Sequence, residues 1–299
     1  MILALLLGLC FYRLHTHERL KPGTNWTSRE LLYIGVALLG LRIDVSDLST
    51  VSPASIALVI IALALTICAG LVLARLLKED RDCGLLMGCA VAICGVSAAA
   101  AVCSVMEDCE ERDRQLAITV AGITGLSTLA MIIYPVVVQT IGYTAAEAGL
   151  FMGATIHNVS QAVGAGYSIS NGAGDVTVVY KLLRVSMLLP VILCIVWLTT
   201  STKMKAVMTP VQKLKAYFPT FLIVFIALAI LSLLGWVPGE VTEIGNKAAK
   251  FCLVVSLVAI GMKTNLKDVV SHGLKPLLAM TLTTLFLAGF VMAGIAALA

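Results

Sequence analysis

The sequence predicts an all-α polytopic membrane protein, with about ten transmembrane helices in a single domain over residues 1–299, and three observations carry that expectation. Hydrophobic residues make up 60% of the chain, charged ones only 13%, and the mean hydropathy is +1.00. That composition excludes an ordinary soluble globular domain. Apolar runs recur along the chain at the length a bilayer demands, about 20 helical residues for a hydrocarbon core of roughly 30 Å. Lys and Arg also segregate by side when successive runs are taken to cross in alternation.

The runs read in order as Leu31–Leu41, Pro53–Leu77, Gly84–Met106, Leu116–Ile141, Ala145–Ile169, Val176–Leu198, Phe218–Trp236, Ala248–Met262 and Pro276–Ala299, two of them short. Met1–Tyr12 (MILALLLGLCFY) adds a fragment. It has no basic n-region and no small-residue cleavage site, so it resembles the end of a span rather than a secretory signal, and the chain is expected to start mid-helix. Approximate halves fall at 1–142 and 143–299.

With alternating spans, one side collects Arg13, Arg19, Lys21, Arg29, Arg75, Lys78, Arg81, Lys203, Lys205, Lys213, Lys215, Lys263, Lys267 and Lys275, fourteen of the 21 Lys and Arg residues. That side is expected in the cytoplasm. The net charge of +4 is then a topological signature and does not imply a nucleic-acid partner. The nine cysteines lie mostly inside spans and lack zinc-ligand spacing, so neither disulfides nor a metal centre is expected.

Two runs depart from a simple apolar helix. In Gly84–Met106 a break near Ile93, Cys94 and Gly95 would leave a second half-helix starting at Val96 and Ser97, with Ser97 available as its N-cap. Free helix N-termini attract anions. In Ala145–Ile169 the polar residues Thr155, His157, Asn158, Ser160 and Gln161 cluster at bilayer depth, where polar groups mark functional sites. The spacing of His157, Ser160 and Gln161 puts them on one helical face. Packing by small residues is the plainer account of Ala98–Ala101.

Lys181 and Arg184 share a face at the start of the next span, on the side poor in positive charge, with Asp175 as the one nearby acid, in a loop. An anion or an internal carboxylate explains the two cations better than a topological role does. Mid-span carboxylates are absent, which counts against a cation–proton antiporter and leaves His157 as the embedded titratable group.

Internal repetition is a further signal. Leu38–Leu48 aligns with Ala259–Val269, seven spans apart, as inverted-topology repeats require. A second match, GLLMG at Gly84–Gly88 against GLFMG at Gly149–Gly153, lies two spans apart, which gives the two copies the same orientation and does not fit that scheme.

The ordered segments LGLRIDVSDL, AICGVSAAAAV, GATIHNVSQAVGAGYSI, YKLLRVSMLLPVIL and IGMKTNLKDVVSHGLKPLL resemble the YeiH-type sulfate exporter family from about Leu31 to the C-terminus. The resemblance implies a multi-pass bacterial inner-membrane protein of about eleven helices, the first missing here. Such proteins are distantly similar to bile-acid symporters and sodium–proton antiporters, with inverted repeats whose two discontinuous helices cross near the midplane. A homodimer follows by the same analogy. Family members carry an acidic residue directly after the histidine, where this chain has Asn158, which cannot titrate.

The expected function is alternating-access transport, by a secondary active carrier, of a small anion such as sulfate or a sulfonate, with no enzymatic activity. Lys181 and Arg184 would supply charge, the amides after Gly95 with Cys94 and Ser97 a helix-dipole end, and His157, Asn158 and Gln161 ligand orientation. No cofactor is expected beyond a coupling ion: H⁺ carried by His157, or Na⁺ held near Thr155, Asn158 and Gln161. Sodium-coupled uptake of organic anions and a cation/proton antiporter are the alternative carriers. A channel, or a hydrolase using Cys94 and His157, would fall in other classes.

Overall fold

The computed structural model describes residues 2–11, 19–42, 52–103, 106, 110–198, 220–263 and 274–298, and among them there is no strand. Among the described residues, five helical stretches are long and apolar enough to cross a membrane: Pro53–Leu76, Gln115–Ile141, Asn171–Ile195, Gly239–Met262 and Leu274–Leu298. Leu32–Leu41 and Ile223–Leu233 are shorter apolar helices.

In chain order the helices are α1 (Ile2–Cys10), α2 (Lys21–Trp26), α3 (Leu32–Leu38), α4 (Pro53–Leu76), α5 (Arg81–Ala92), α6 (Val96–Cys103), α7 (Glu110–Ile141), α8 (Ala145–Thr155), α9 (Val159–Ile169), α10 (Asn171–Ser186), α11 (Leu188–Leu198), α12 (Thr220–Leu233), α13 (Gly239–Lys263) and α14 (Leu274–Leu298). Local chemistry sets several starts. Ser52 caps α4 through Ser55 N–H, with Pro53 in the first turn. Thr144 and Glu147 form a reciprocal capping box on α8, and Ser170 caps α10.

Helices α4 to α10 and α14 pack into one bundle, while α1, α3, α12 and α13 pack into a second. The chief contacts between them run from α9 to α13 and α1, with Lys250 Nζ on α13 donating to Asn171 Oδ1 on α10 at 3.4 Å.

Three sequence expectations change. The expected spans Gly84–Met106 and Ala145–Ile169 each consist of two helices, α5 with α6 and α8 with α9, that fold back on themselves instead of crossing as one interrupted helix. The short span at Ala248–Met262 is a full-length helix that begins at Gly239. Asp175 lies in the second turn of α10 rather than in a loop, because Ser170 starts that helix early. It is 6% exposed and accepts a hydrogen bond from Tyr167 Oη at 2.6 Å. The aligned segments Leu38–Leu48 and Ala259–Val269 fall largely outside the described residues.

Candidate functional site

The α8–α9 segment turns back on itself. A Cβ placed on Gly149 of α8 would lie 2.8 Å from Ala173 O of α10, and one on Gly166 of α9 would lie 3.1 Å from the same oxygen. The two legs therefore flank one turn of α10. Further along α8, Gly153 sits against Thr177 and Lys181, so α8 runs parallel to α10 and α9 runs back against it. Glycine at these positions allows a backbone approach that any side chain would block. Residues 156–158 form the hairpin tip.

The α5–α6 segment forms a second hairpin. Its turn is residues 93–95, where Gly95 adopts φ +71° and its N–H bonds Ala90 O at 2.9 Å. Gly95 packs against Ile123 of α7. Ile123 lies about 20 Å along α7 from Glu110, at about 1.5 Å per residue. Had α6 continued onward, Cys103 would lie about 12 Å farther still, beyond the roughly 25 Å that the seven steps from Cys103 to Glu110 can span. Helix α6 packs on α7 and runs back toward the start of that helix.

The hairpins enter from opposite ends of the bundle. Met280 and Thr284 of α14 meet Gly122 of α7 and His157 respectively, while Leu58 of α4 meets Gly294 near the far end of α14. Helix α4 thus runs against α14, and α5 runs against α4, with Gly84 on Ala74 and Gly88 on Gly70. The α5–α6 tip points one way, the α8–α9 tip the other, and the two meet with Gly95 against His157.

Lys181 and Arg184 of α10 fill the junction, at 0% and 1% exposure. Arg184 donates from Nη2 to Val91 O (2.7 Å), from Nε to Ala92 O (2.8 Å), and from Nη1 to Ala154 O (2.8 Å), Ile156 O (3.3 Å) and Gly153 O (3.4 Å). Lys181 Nζ donates to Ile156 O (2.7 Å) and Ile93 O (3.1 Å). These carbonyls close the C-termini of α5 and α8, which lack intrahelical partners and carry the negative end of each helix dipole. Among the described residues neither cation is paired with a carboxylate. Both charges therefore face backbone carbonyls from the two hairpins, not an open cavity.

His157 is fully buried at the tip. Its Nδ1 lies 3.1 Å from Val91 O and its Nε2 3.1 Å from Thr284 Oγ1. A carbonyl only accepts, so Nδ1 carries the proton and neutral Nε2 accepts from the Thr284 hydroxyl. Asn158 caps α9: its Oδ1 accepts from Ser160 N–H (3.0 Å) and Ser160 Oγ (2.8 Å), and its own N–H reaches Ser127 Oγ on α7 (3.0 Å). Gln161 Nε2 donates to Thr128 Oγ1 at 2.8 Å.

His157, Ser160 and Gln161 consequently point in three directions rather than along one face. The i, i+3, i+4 rule presumes a continuous helix, and His157 lies in the turn before α9. Ser97 is the second residue of α6 and exposed, with Gly95 preceding the helix in place of a capping side chain. Cys94 is buried in the turn. Thr155 spends its hydroxyl on Phe151 O at 2.6 Å, so Thr155, Asn158 and Gln161 are not gathered around a common point by their hydrogen bonds. Ser127, Thr128 and Thr284 join the site without having been singled out. Hydroxyls in apolar helices usually serve as interhelical hydrogen-bond partners, and nothing in their spacing sets these three apart.

The family described as conserved hypothetical protein 698 matches residues 1–280. The UPF0324 membrane protein TauZ of Paracoccus denitrificans is 40% identical, over 99% of this chain and 87% of its own length. The UPF0324 membrane protein CT0845 of Chlorobaculum tepidum is also 40% identical, over 99% and 82%. A UPF0324 membrane protein of Bacteroides thetaiotaomicron is 29% identical over 92% and 83%. No solved structure matches the chain.

Proposed function

Because this chain belongs to the UPF0324 family of membrane proteins, we propose that it is a secondary transporter that moves a small oxyanion, sulfate or a sulfonate, across a bacterial inner membrane by alternating access. One observation carries this reading. Lys181 and Arg184 neutralise the C-terminal dipole ends of α5 and α8, while the N-terminal ends of α6 and α9 converge on the same depth, and among the described residues neither cation is paired with a carboxylate. The junction is biased toward positive potential, and helix N-termini at bilayer depth are suited to anionic groups.

In this reading the two hairpins are an inverted pair. Only α7 crosses between them, which orients the two GLxMG segments oppositely, and with a two-residue gap after those segments Ile93-Cys94-Gly95-Val96-Ser97 matches Ile156-His157-Asn158-Val159-Ser160 turn for turn. The hairpins take the place of discontinuous crossing helices.

Charge segregation supports that topology. Folding both segments back moves Arg112 and Arg114 to the positive-rich side, raising fourteen cations to sixteen of 21 and leaving Arg42, Lys247 and Lys250 opposite, with Lys181 and Arg184 at mid-depth. The thin joint between the two helical bundles suits relative movement of one against the other.

The ligand would meet the amides after Gly95 and Ser97 on α6, with Asn158 and Gln161 on the opposite tip. Lys181 and Arg184 act from behind the backbone, and Cys94 lines the turn without a catalytic role. His157, set between Val91 O and Thr284, is the candidate H⁺ carrier.

Proteoliposome uptake of sulfate, sulfite, thiosulfate and small sulfonates, with and without Na⁺ and H⁺ gradients, tests the proposal. Saturable, gradient-driven movement of at least one oxyanion is expected. Absence of uptake for the whole panel, or uptake that does not saturate, contradicts it.

A further inference from the structure

Gln161 is 0% exposed, in the first turn of α9, and among the described residues its side-chain oxygen has no hydrogen-bond partner. The amide orientation is set by its surroundings. Thr128 gives its own hydroxyl hydrogen to Thr124 O at 2.9 Å, so the Gln161 group facing Thr128 must be the donating Nε2, which turns Oε1 away. A fully buried amide oxygen left unsatisfied is uncommon in native proteins and calls for an explanation. Here it lies one helical turn from the tip where α6 and α9 begin.

A bound ligand that carries a hydrogen-bond donor would satisfy this oxygen. A metal cation is disfavoured electrostatically, because Lys181 and Arg184 bring two positive charges to the carbonyl of Ile156 in the same hairpin turn, and among the described residues no group of three or more His, Cys, Asp or Glu gathers to bind a metal. An ammonium group meets the same repulsion. A neutral O–H does not.

Resting on the anion-transport reading above, we infer that the transported anion carries a neutral hydrogen-bond donor beside its anionic group, with the anionic end at the helix N-termini and a hydroxyl donating to Gln161 Oε1. A hydroxylated sulfonate has this chemistry, whereas sulfate, with acceptors only, leaves Gln161 unpaired. A site with a buried acceptor discriminates against analogues that lack the donor.

The test compares ethanesulfonate, 2-hydroxyethanesulfonate and 2-aminoethanesulfonate binding to the purified full chain in nanodiscs, with sulfate alongside, by calorimetry. The hydroxy compound should bind about tenfold more tightly than ethanesulfonate, and more tightly than the amino compound. Gln161→Met should remove the preference, weakening the hydroxy compound more than ethanesulfonate. Thr128→Val, which frees the amide to turn, should reduce it.

Equal affinity of the wild-type protein for the hydroxy and unsubstituted compounds overturns the inference and leaves the anion reading intact, as does tighter binding of the amino compound. A preference that survives in Gln161→Met overturns it too, and if that variant does not fold the wild-type series still decides. Failure of all four probes to bind removes the anion reading and this inference with it.

Discussion

His157 Nδ1 lies 3.1 Å from Val91 O, so the tip of one helical hairpin is hydrogen-bonded to the end of the other. The contact pairs a side chain in the α8–α9 turn with a carbonyl at the C-terminus of α5, across 66 residues of chain. Arg184 reinforces it by bonding Val91 O and Ala154 O together. The junction is thus held by one imidazole and two cations bound to backbone carbonyls, and its mutational behaviour should reflect that.

Arg184→Ala should be destabilising before it is a binding variant. It leaves carbonyls of both hairpins without partners, and each buried acceptor left unsatisfied costs about 1–3 kcal/mol. Arg184→Lys keeps the charge but lacks the forked geometry that reaches both helix ends, and should be intermediate. Thermal unfolding in detergent measures the order wild type, Lys, Ala. A fully stable Arg184→Ala protein that has merely lost sulfate affinity would instead mean the guanidinium faces ligand.

His157 and Thr284 should be energetically coupled. In a double-mutant cycle with His157→Ala and Thr284→Val, the interaction energy expected for one buried hydrogen bond is about 0.5–1.5 kcal/mol. Strict additivity of the two substitutions would show that Thr284 does not hold the imidazole.

Glycine substitutions separate close packing from helix propensity. Gly153→Ala puts a Cβ 2.7 Å from Thr177 O and 2.9 Å from Tyr180 Cβ, and should cost about 1–3 kcal/mol as an overpacked contact. Gly289→Ala on α14 meets nothing within 4 Å and should be neutral or stabilising by up to about 1 kcal/mol. Equal effects in a stability assay would contradict the packing of α8 on α10.

Much of this is legible in the sequence. Composition identifies a membrane protein, and the polar residues at His157 and Asn158, like Cys94 and Gly95, mark where helices stop. Lys181 and Arg184 stand out because two cations on a charge-poor side need a reason. What hydropathy does not encode is the direction the chain takes after an interruption, since a run such as Ala145–Ile169 has the same apolar content whether it continues across the bilayer or folds back. The same ambiguity leaves the relative orientation of GLLMG and GLFMG open in the sequence. The partners of Lys181 and Arg184 were equally hidden, because carbonyls at helix C-termini leave no trace in side-chain identity.

The most direct test of the opposed hairpins is the sidedness of the two ends of α8–α9. Single cysteines at Gly142 and Gly172, both exposed, placed in a background free of other reactive thiols, are labelled in sealed vesicles with a membrane-impermeant maleimide, with a cysteine at the exposed Asp80 as the opposite-side reference. Positions 142 and 172 should label from one side and position 80 from the other. Labelling of 142 and 172 from opposite sides would make α8–α9 a single crossing and contradict the opposed-hairpin site.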